Sequence, residues 1–393
     1  MSLAVILERR ANMKQLDKIR VAVLYGGRSA EHEVSLQSAS NVIQYLDPEL
    51  FEIIPIGIDK QGNWFLGKDV FAKSLEHKKV PQLHDTISTW FTPEWVGKPV
   101  AKHQIKELIA SQTTERSFDV VFPVVHGSLC EDGTLQGLLE LADLPYVGCG
   151  VLSSAMGMDK DISKRLALHA GINVAPFVVI KRDQWEQHAA DFSRLVDEKL
   201  SYPVFVKPAN TGSSIGITKV KEASQLAAGI MEAFRFDNKI IIEKGLNVHE
   251  LEIAVLESLE PNADPIVSVV GEIKPSHEFY SYDAKYVDEK GAELLIPASV
   301  NDVVKAQAQR IAKEIFKVLE CEGMARVDLF LNKDTQQIFF NEINTIPGFT
   351  QISMYPKLMG ASGMSYSALL THLVQLAMKR HENKSRLARS YAD

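Results

Sequence analysis

The sequence is short of cysteine, and the few cysteines are scattered. Three of them, Cys130, Cys149 and Cys321, occur in 393 residues, and no Cys-x-x-Cys pair is present. An odd number at wide spacing argues against a disulfide framework or a structural zinc site, and it suits the reducing cytoplasm. Each cysteine is most simply interpreted as a small buried side chain.

Long apolar runs and basic clusters are also missing. No run reaches the roughly 18 apolar residues that cross a membrane. The net charge is −7, and Lys and Arg gather only between 379 and 389, where a solvated helix end is expected. These features argue against a membrane protein and against a nucleic-acid-binding surface. They favour a cytoplasmic protein whose partners are small molecules.

Two common nucleotide-binding motifs are absent as well. The G-x-x-x-x-G-K-[ST] motif occurs nowhere, which excludes a P-loop protein. The double glycine Gly26-Gly27 is followed by RSAE, so the dinucleotide motif G-x-G-x-x-G fails after its first glycine. A dinucleotide oxidoreductase would rest on these two glycines alone.

The first part of the chain alternates buried strands with amphipathic helices. IRVAVLYGG, FEIIPIGID and FDVVFPVVHG read as strands, and SLQSASNVIQYLD and GTLQGLLELADLP as helices. This alternation predicts a doubly wound α/β layer with its ligand beyond the carboxyl ends of the strands. Gly26-Gly27 and His126-Gly127 lie at two such ends.

We expect three domains, at residues 1–140, 141–236 and 237–393. Residues 1–12 precede the first convincing strand, and we interpret them as a disordered or vector-derived segment, or an upstream start. The second domain opens with a predicted helix, SSAMGMDKDISKRLALHAGI, that carries Lys160. The third holds the strand KIIIEKG and ends in a helix predicted over 365–381.

A predicted hairpin near the end carries the clearest chemistry. If NKDT is the turn between ARVDLFL and QQIFFNEIN, Asp328 lies opposite Glu342, and Arg326 and Asn344 share their face. Two carboxylates and an amide oxygen form an oxygen-only ligand set that suits Mg²⁺ or Mn²⁺ with phosphates. The alternative is a solvated sheet face with incidental charges.

Three further segments suggest a nucleotide site. Lys207 ends the buried strand YPVFVK and is followed by TGSSIG, whose backbone N–H groups can hold a phosphate. Lys160 is a second candidate phosphate ligand, although a surface lysine is its simpler interpretation. IIIEKGL offers backbone groups for a purine edge, and Glu250 could accept hydrogen bonds from ribose hydroxyls. Taken alone, Lys207 could instead be a snorkelling lysine.

These segments, in this order, resemble the D-alanine–D-alanine ligases of the ATP-grasp superfamily. The matching motifs span residues 20–356 and are GGRSAEHEVS, HGSLCEDGTLQG, MDK, YPVFVKPANTGSSIG, EKGLNVHE, FYSYDAKY, ARVDLFL and NEINTIPGFT. The resemblance implies a three-domain ATP-grasp fold: a doubly wound α/β domain followed by α+β subdomains. It also implies that ATP phosphorylates one D-alanine, whose acylphosphate a second D-alanine attacks.

The resemblance assigns a role to each matching residue. Glu31 binds the ammonium of the first D-alanine and His126 its carboxylate, and Arg326 and the Gly348 N–H form the oxyanion site. Ser353 and Met354 receive the second D-alanine. The implied ATP ligands are Lys160, Lys207, Ser213, Ser214, Glu243, Lys244, Leu246, Glu250 and Lys285, and the ligands of two Mg²⁺ or Mn²⁺ are Asp328, Glu342 and Asn344, with Asn344 also at the substrate.

The segment EFYSYDAKYVDEKGAELL is similar to the closing lid of these enzymes. Relatives that make D-alanyl-D-lactate lack the tyrosine at the position of Tyr286, which here is expected to join Ser213 and Glu31 in a hydrogen-bonded network. An amine nucleophile is therefore favoured over D-lactate.

The resemblance also implies a homodimer. A non-catalytic nucleotide-binding protein would show gaps in the metal ligands, and none is present in the sequence. Cys130, before the acidic pair of HGSLCEDG, is expected to be a spectator, although it could make the site sensitive to thiol reagents.

Overall fold

The computed structural model of the chain describes residues 18–29, 31–66, 118–275, 292–388 and 390. Its strands are β1 (Ile19–Gly26), β2 (Phe51–Ile58), β3 (Trp64–Leu66), β4 (Val120–Pro123), β5 (Phe177–Lys181), β6 (Val204–Pro208), β7 (Thr218–Val220), β8 (Lys239–Lys244), β9 (Val248–Leu256), β10 (Ile266–Val267), β11 (Gly271–Pro275), β12 (Ala292–Leu295), β13 (Met324–Asn332) and β14 (Ile338–Asn344). Its helices are α1 (His32–Tyr45), α2 (Thr134–Leu141), α3 (Val151–Met158), α4 (Lys160–His169), α5 (Arg182–Lys199), α6 (Leu226–Ala233), α7 (Asp302–Val318), α8 (Met354–Ala361) and α9 (Tyr366–Ser385).

The first sheet has the order β3-β2-β1-β4, with β1 parallel to both β2 and β4. Alternate residues of β1 are buried on opposite faces. Val21 and Val23 pack with α1 and α9, whereas Ala22 and Leu24 pack with α2. A parallel strand covered on both faces reads as a continuous apolar run, which is why β1 was recognisable in the sequence.

The second sheet is antiparallel and has the order β12-β11-β9-β13-β14, with β10 beside β9. Leu251, Ile253 and Val327 belong to a core cluster with α7. The residues between them on β9 and β13 point to the opposite face, which carries the charged side chains described below.

The third sheet has the order β5-β8-β6-β7, and all its neighbouring strands are antiparallel. Val204, Val206, Ile240 and Ile242 pack on one face with α5 and α6. The alternate positions of β6 and β8 place Lys207 and Glu243 on the other face, against α4.

The helix predicted around Lys160 is two helices, α3 and α4. The break falls at Asp159, whose Oδ1 accepts hydrogen bonds from the backbone N–H groups of Asp161 and Ile162, each 3.1 Å long. An aspartate in this position is an N-cap, and it starts a new helix. The break makes Lys160 the first residue of α4.

The sequence predicts that the strand KIIIEKG lies in the third domain. The structure pairs it as β8 with β5 and β6, so it belongs to the third sheet with the strands before it. The residue boundaries of the three domains stay a prediction.

In the described part of the chain, no helix combines the length and apolarity required to cross a membrane. The three cysteines are free thiols, and all three are buried. Burial, with the charges of Glu131, Asp132 and Glu31, raises the pKa of Cys130 to about 12. A thiol that stays protonated is a poor nucleophile, which supports the spectator interpretation.

Candidate active site

The hairpin β13–β14 aligns the predicted metal ligands. Asp328 lies opposite Glu342, and Arg326 opposite Asn344. The register shifts by one residue immediately after Asp328, which leaves Asn341 as the extra residue of a β-bulge. Because of this extra residue, the side chains of Arg326, Asp328, Glu342 and Asn344 all lie on one face of the hairpin.

An ion-pair ladder crosses this face of the second sheet. Arg326 donates from Nε to Asp328 Oδ1 at 2.8 Å and from Nη2 to Oδ2 at 2.7 Å, and its Nε lies 3.0 Å from Glu252 Oε2. Asn344 Nδ2 donates to Asp328 Oδ2 at 3.0 Å. Burial would lower the pKa of Arg326, but the charges of Asp328 and Glu252 raise it well above its ordinary value. The guanidinium is therefore a permanent cation.

Two lysines, one from α4 and one from β6, lie near Glu342 on this hairpin. Lys160 Nζ donates to the Thr211 carbonyl at 2.7 Å and lies 3.5 Å from Glu342 Oε2. Lys207 forms an ion pair with Glu243 on β8. The two predicted phosphate-binding lysines thus lie on the side of the second sheet's polar face, held by carboxylates and a carbonyl.

The Gly/Ser loop 211–216 contacts both Lys160 and Glu31. Ser213 and Ser214 have φ of 51° and 58°, a left-handed conformation that residues other than glycine rarely adopt. Ser213 Oγ donates to Glu31 Oε1, so the loop contacts the end of the first sheet. Strained residues of this kind are concentrated at ligand-binding sites.

Glu31 is buried beside the other strand end singled out in the sequence. A Cβ on Gly127, whose φ is +80°, would lie 2.6 Å from Glu31 Oε2, so only glycine fits there. Ser29 Oγ donates to the His126 carbonyl at 2.6 Å and accepts from the Glu31 N–H at 3.2 Å. The turn after β1 and the turn after β4 therefore bring Glu31 and His126 together.

His126 is 3% exposed and lies between the first and second sheets. Its Nδ1 lies 3.2 Å from the Ile346 carbonyl, which can only accept, so Nδ1 carries a proton. The same nitrogen is 3.7 Å from Glu131 Oε1, and Nε2 is 3.3 Å from Ser38 Oγ. Burial lowers the pKa of His126, but a hydrogen bond to Glu131 and the charges of Glu131 and Glu31 raise it overall.

The segment after β14 is held by α1 and by its own side chains. Ser38 Oγ accepts from the Phe349 N–H at 3.1 Å, and Asn41 Nδ2 donates to the Phe349 carbonyl at 2.9 Å. A Cβ on Gly348 would lie 2.8 Å from Ser353 Oγ, which itself accepts from the Thr350 N–H at 2.9 Å. Ser353 is the N-cap of α8, a helix that the sequence did not reveal, and Met354 is its first residue.

The adenine slot stays a prediction, and two of the backbone groups in it are already hydrogen-bonded. The N–H groups of Lys244 and Gly245 donate to the carbonyls of Pro176 and Pro203, at 2.9 Å and 2.8 Å. They are already used, so a purine edge would need other backbone groups near Leu246. The side chain of Glu243 is buried between Lys164 and Lys207. Lys285 and Tyr286 lie outside the described residues, as does most of the predicted lid.

Three residues at the site were not predicted from the sequence. Lys164 contacts Glu243, Glu131 contacts His126, and Glu252 contacts Arg326. Glu252 could have been found, because it lies two residues after Glu250 and faces Asp328 across the strand pair. Lys164 could have been found from its position one helical turn after Lys160.

The polar set on β13 and β14 fits a hard divalent cation by its chemistry. Asp328 and Glu342 supply carboxylate oxygens and Asn344 an amide oxygen, with no thiolate or imidazole among them. Among the described residues, no cluster of three or more His, Cys, Asp and Glu side chains forms a metal site, so any such site depends on the amide.

Three sheets with α4 between the second and third form an ATP-grasp fold. Comparison with known proteins makes the assignment finer. The family model described as the D-ala D-ala ligase N-terminus matches residues 20–149, and that of the D-ala D-ala ligase C-terminus matches residues 166–375. The chain belongs to the D-alanine–D-alanine ligase family.

Individual relatives agree over almost the whole chain. D-alanine–D-alanine ligase A of Bradyrhizobium diazoefficiens is 48% identical, covering 96% of this chain and 99% of its own length. D-alanine–D-alanine ligase A of Escherichia coli K12 is 44% identical, covering 93% of this chain and 97% of its own length. The Coxiella burnetii D-alanine-D-alanine ligase structure superposes with a TM-score of 0.79 at 35% identity, over 96% and 99% of the chains. The structure of the VanG D-Ala:D-Ser ligase of Enterococcus faecalis superposes with a TM-score of 0.76 at 39% identity. The match covers 92% of this chain and 100% of the VanG chain.

The contacts of His126 predict its titration. Its pKa, measured by NMR of the ring protons, is expected above 6.5, and Glu131→Gln is expected to lower it because the raising charge is removed. The Glu131–His126 pair therefore stabilises the fold below pH 6.5, and its contribution is lost as the pH rises through the folded-state pKa. Asp132→Asn, one residue on, is the control. An unchanged pKa in Glu131→Gln would contradict the assignment.

Proposed function

We propose that the chain joins two D-alanines to D-alanyl-D-alanine for peptidoglycan precursor synthesis, using ATP and passing through D-alanyl phosphate. ATP use follows from the family to which the chain belongs. The observation that carries the proposal is the junction of two charged sites. Glu31 at the end of the first sheet meets the Ser213 loop, and His126 contacts the Ile346 carbonyl, two residues after the strand that carries Glu342 and Asn344. The ammonium of an amino acid needs a negative charge beside it, and the phosphates of a nucleotide triphosphate need positive charges. Both kinds of charge are present at this junction.

In the first step, a carboxylate oxygen of the first D-alanine attacks the γ-phosphorus and ADP leaves. Glu31 binds the ammonium of this D-alanine, and the raised pKa of His126 suits a ring that carries positive charge beside the carboxylate. Ser213, hydrogen-bonded to Glu31, ties the substrate site to the Gly/Ser loop. We propose that Tyr286 joins the same hydrogen-bonded network.

The phosphates of ATP are bound by Lys160, Lys207 and the loop that contains Ser213 and Ser214. The adenosine lies near Lys244, Leu246 and Glu250, with backbone groups around Glu243, and Lys285 reaches the γ-phosphate. Asp328, Glu342 and Asn344 hold two Mg²⁺ or Mn²⁺, which when bound offset the negative charge of the transferring phosphoryl group. Fixed cations add to this charge stabilisation.

In the second step, the amine of the second D-alanine attacks the acyl carbon of D-alanyl phosphate, phosphate leaves and the amine loses a proton. Arg326 and the Gly348 N–H stabilise the oxyanion that develops. Gly348 approaches Ser353 closely because it has no side chain. We propose that Ser353 binds the carboxylate of the second D-alanine and that Met354 lies beside this D-alanine.

The nucleophile distinguishes the alternatives. D-lactate is not favoured, since the near-full-length curated relatives are D-alanine–D-alanine ligases at 44–48% identity. The likeness to a D-Ala:D-Ser ligase structure makes D-serine a useful comparison substrate. We also propose a cytoplasmic homodimer with domains at about 1–140, 141–236 and 237–393. Strand β8, just past the second boundary, pairs with β5 and β6 of the second domain. Light scattering tests the dimer.

The most direct test is substrate-dependent ATP turnover. The purified chain with ATP, Mg²⁺ and D-alanine is expected to release phosphate and to yield a product with the mass of D-alanyl-D-alanine. Parallel reactions pair D-alanine with D-lactate or D-serine, at a pH near 7 and near 9. No phosphate release with D-alanine, or a mixed product formed in preference, would overturn the proposal.

Glu31 gives a sharper test of the substrate site. Glu31→Gln is expected to raise the KM for D-alanine by roughly 10- to 100-fold, the cost of losing a charge-assisted hydrogen bond. The Kd of ATP should stay close to that of the parent chain. Glu33→Gln is the matched control, because Glu33 pairs with Lys60 on the surface and its pKa is lowered there. Lost ATP binding with intact D-alanine binding would assign Glu31 to the nucleotide instead.

A further inference from the structure

Lys164 is a fully buried lysine in α4 for which the proposed chemistry has no use. It is 1% exposed, and its Nζ lies 2.7 Å from Glu243 Oε1 and 3.4 Å from the Phe340 carbonyl. Lys207 pairs with the other carboxylate oxygen of Glu243, which is 2% exposed. Two ammonium groups therefore share one buried carboxylate.

The electrostatics of this trio are unequal. Burial would raise the pKa of Glu243, but Lys164 and Lys207 lower it to about 2, so the carboxylate stays charged. Burial lowers the pKa of Lys207, but Glu243 and Glu342 raise it overall. Burial and the nearby charge of Lys207 lower the pKa of Lys164. Counted by itself, the charged trio carries one positive charge in excess, and the carboxylates of Glu342 and Glu250 lie close enough to act on Lys207.

The position of α4 determines which lysine of the trio an incoming anion can reach. Lys160, one helical turn before Lys164, lies 3.5 Å from Glu342 on the second sheet, whereas Lys164 contacts Glu243 on the third. Lys207 is 9% exposed, more than the other two members of the trio, and it ends the strand that leads into the Gly/Ser loop. An incoming phosphate would therefore meet Lys207 and not Lys164.

We propose that Lys164 is a positioning residue that acts as the permanent counter-ion of Glu243. When Lys207 turns from Glu243 to a phosphate of ATP, Lys164 keeps the buried carboxylate paired. Without Lys164, the same movement would leave an uncompensated buried charge, which is strongly unfavourable. Lys164 thus lowers the cost of nucleotide binding without touching the nucleotide. The inference rests on the proposed role of Lys207.

The test is a double-mutant cycle on ATP affinity, measured by calorimetry without D-alanine. Lys164→Met keeps the length and apolar stem of the side chain and is expected to raise the ATP Kd by about tenfold or more. The KM for D-alanine should change by less than about twofold, since Glu31 and His126 are untouched. Lys379→Met, a partly buried lysine of α9 that donates to the Leu259 carbonyl, is the matched control.

Removing the buried carboxylate separates positioning from simple stabilisation. Glu243→Gln combined with Lys164→Met is expected to restore ATP affinity to within a fewfold of the parent, because no charge is then stranded. An unchanged Kd in Lys164→Met, or a loss that the double variant does not relieve, overturns the inference. Thermal unfolding of each variant is recorded alongside.

If Lys164→Met does not fold, the comparison moves to the Glu243→Gln background. There, adding Lys164→Met is expected to change the ATP Kd by less than about twofold, because Lys164 has no carboxylate to pair. A tenfold loss on that background overturns the inference. Lys207→Met that still binds ATP normally would refute the proposed phosphate role of Lys207, a separate failure, and the inference would fall with it.

Discussion

The register of β9, β13 and β14 is the constraint on which the site depends. Because side chains alternate across a strand, a slip of one residue would turn Asp328 and its neighbours into the core around α7. The apolar residues Val327 and Leu329, both almost completely buried, fix the register from the other side. The bulge at Asn341 then sets Glu342 opposite Asp328. Core packing and site geometry are two faces of one alignment.

Around this alignment, four cations lie within ion-pair distance of a carboxylate: Arg326, Lys160, Lys164 and Lys207. Arg326 is shared by Asp328 and Glu252, and Lys207 shares Glu243 with Lys164. Such pairs gain little net stability, since taking both charges out of water costs about as much as their attraction returns. Their use here is preorganisation, because fixed charges need not reorganise when a phosphoryl group is transferred.

The parts of the site that lie on local patterns could be predicted from the sequence. Strand alternation predicts the face of Asp328 and Glu342, and strand ends predict the turns at Gly26-Gly27 and His126-Gly127. The role of Glu31 came from the family resemblance. The parts that depend on contacts between distant segments could not. Lys164 meets Glu243 only because α4 lies between two sheets, and β8 lies in the third sheet only through pairing with β5 and β6. The break at Asp159 was hidden because apolar spacing continues across it.

The binding of a divalent cation tests the central claim most directly. Mn²⁺ titrated into the chain with ADP, and followed by electron paramagnetic resonance, should bind to the parent chain and at least about tenfold more weakly to Asp328→Asn. Glu33→Gln changes a surface carboxylate that pairs with Lys60, and this variant should bind Mn²⁺ like the parent. Equal Mn²⁺ affinity in Asp328→Asn and the parent would contradict a metal-assisted phosphate site on β13 and β14.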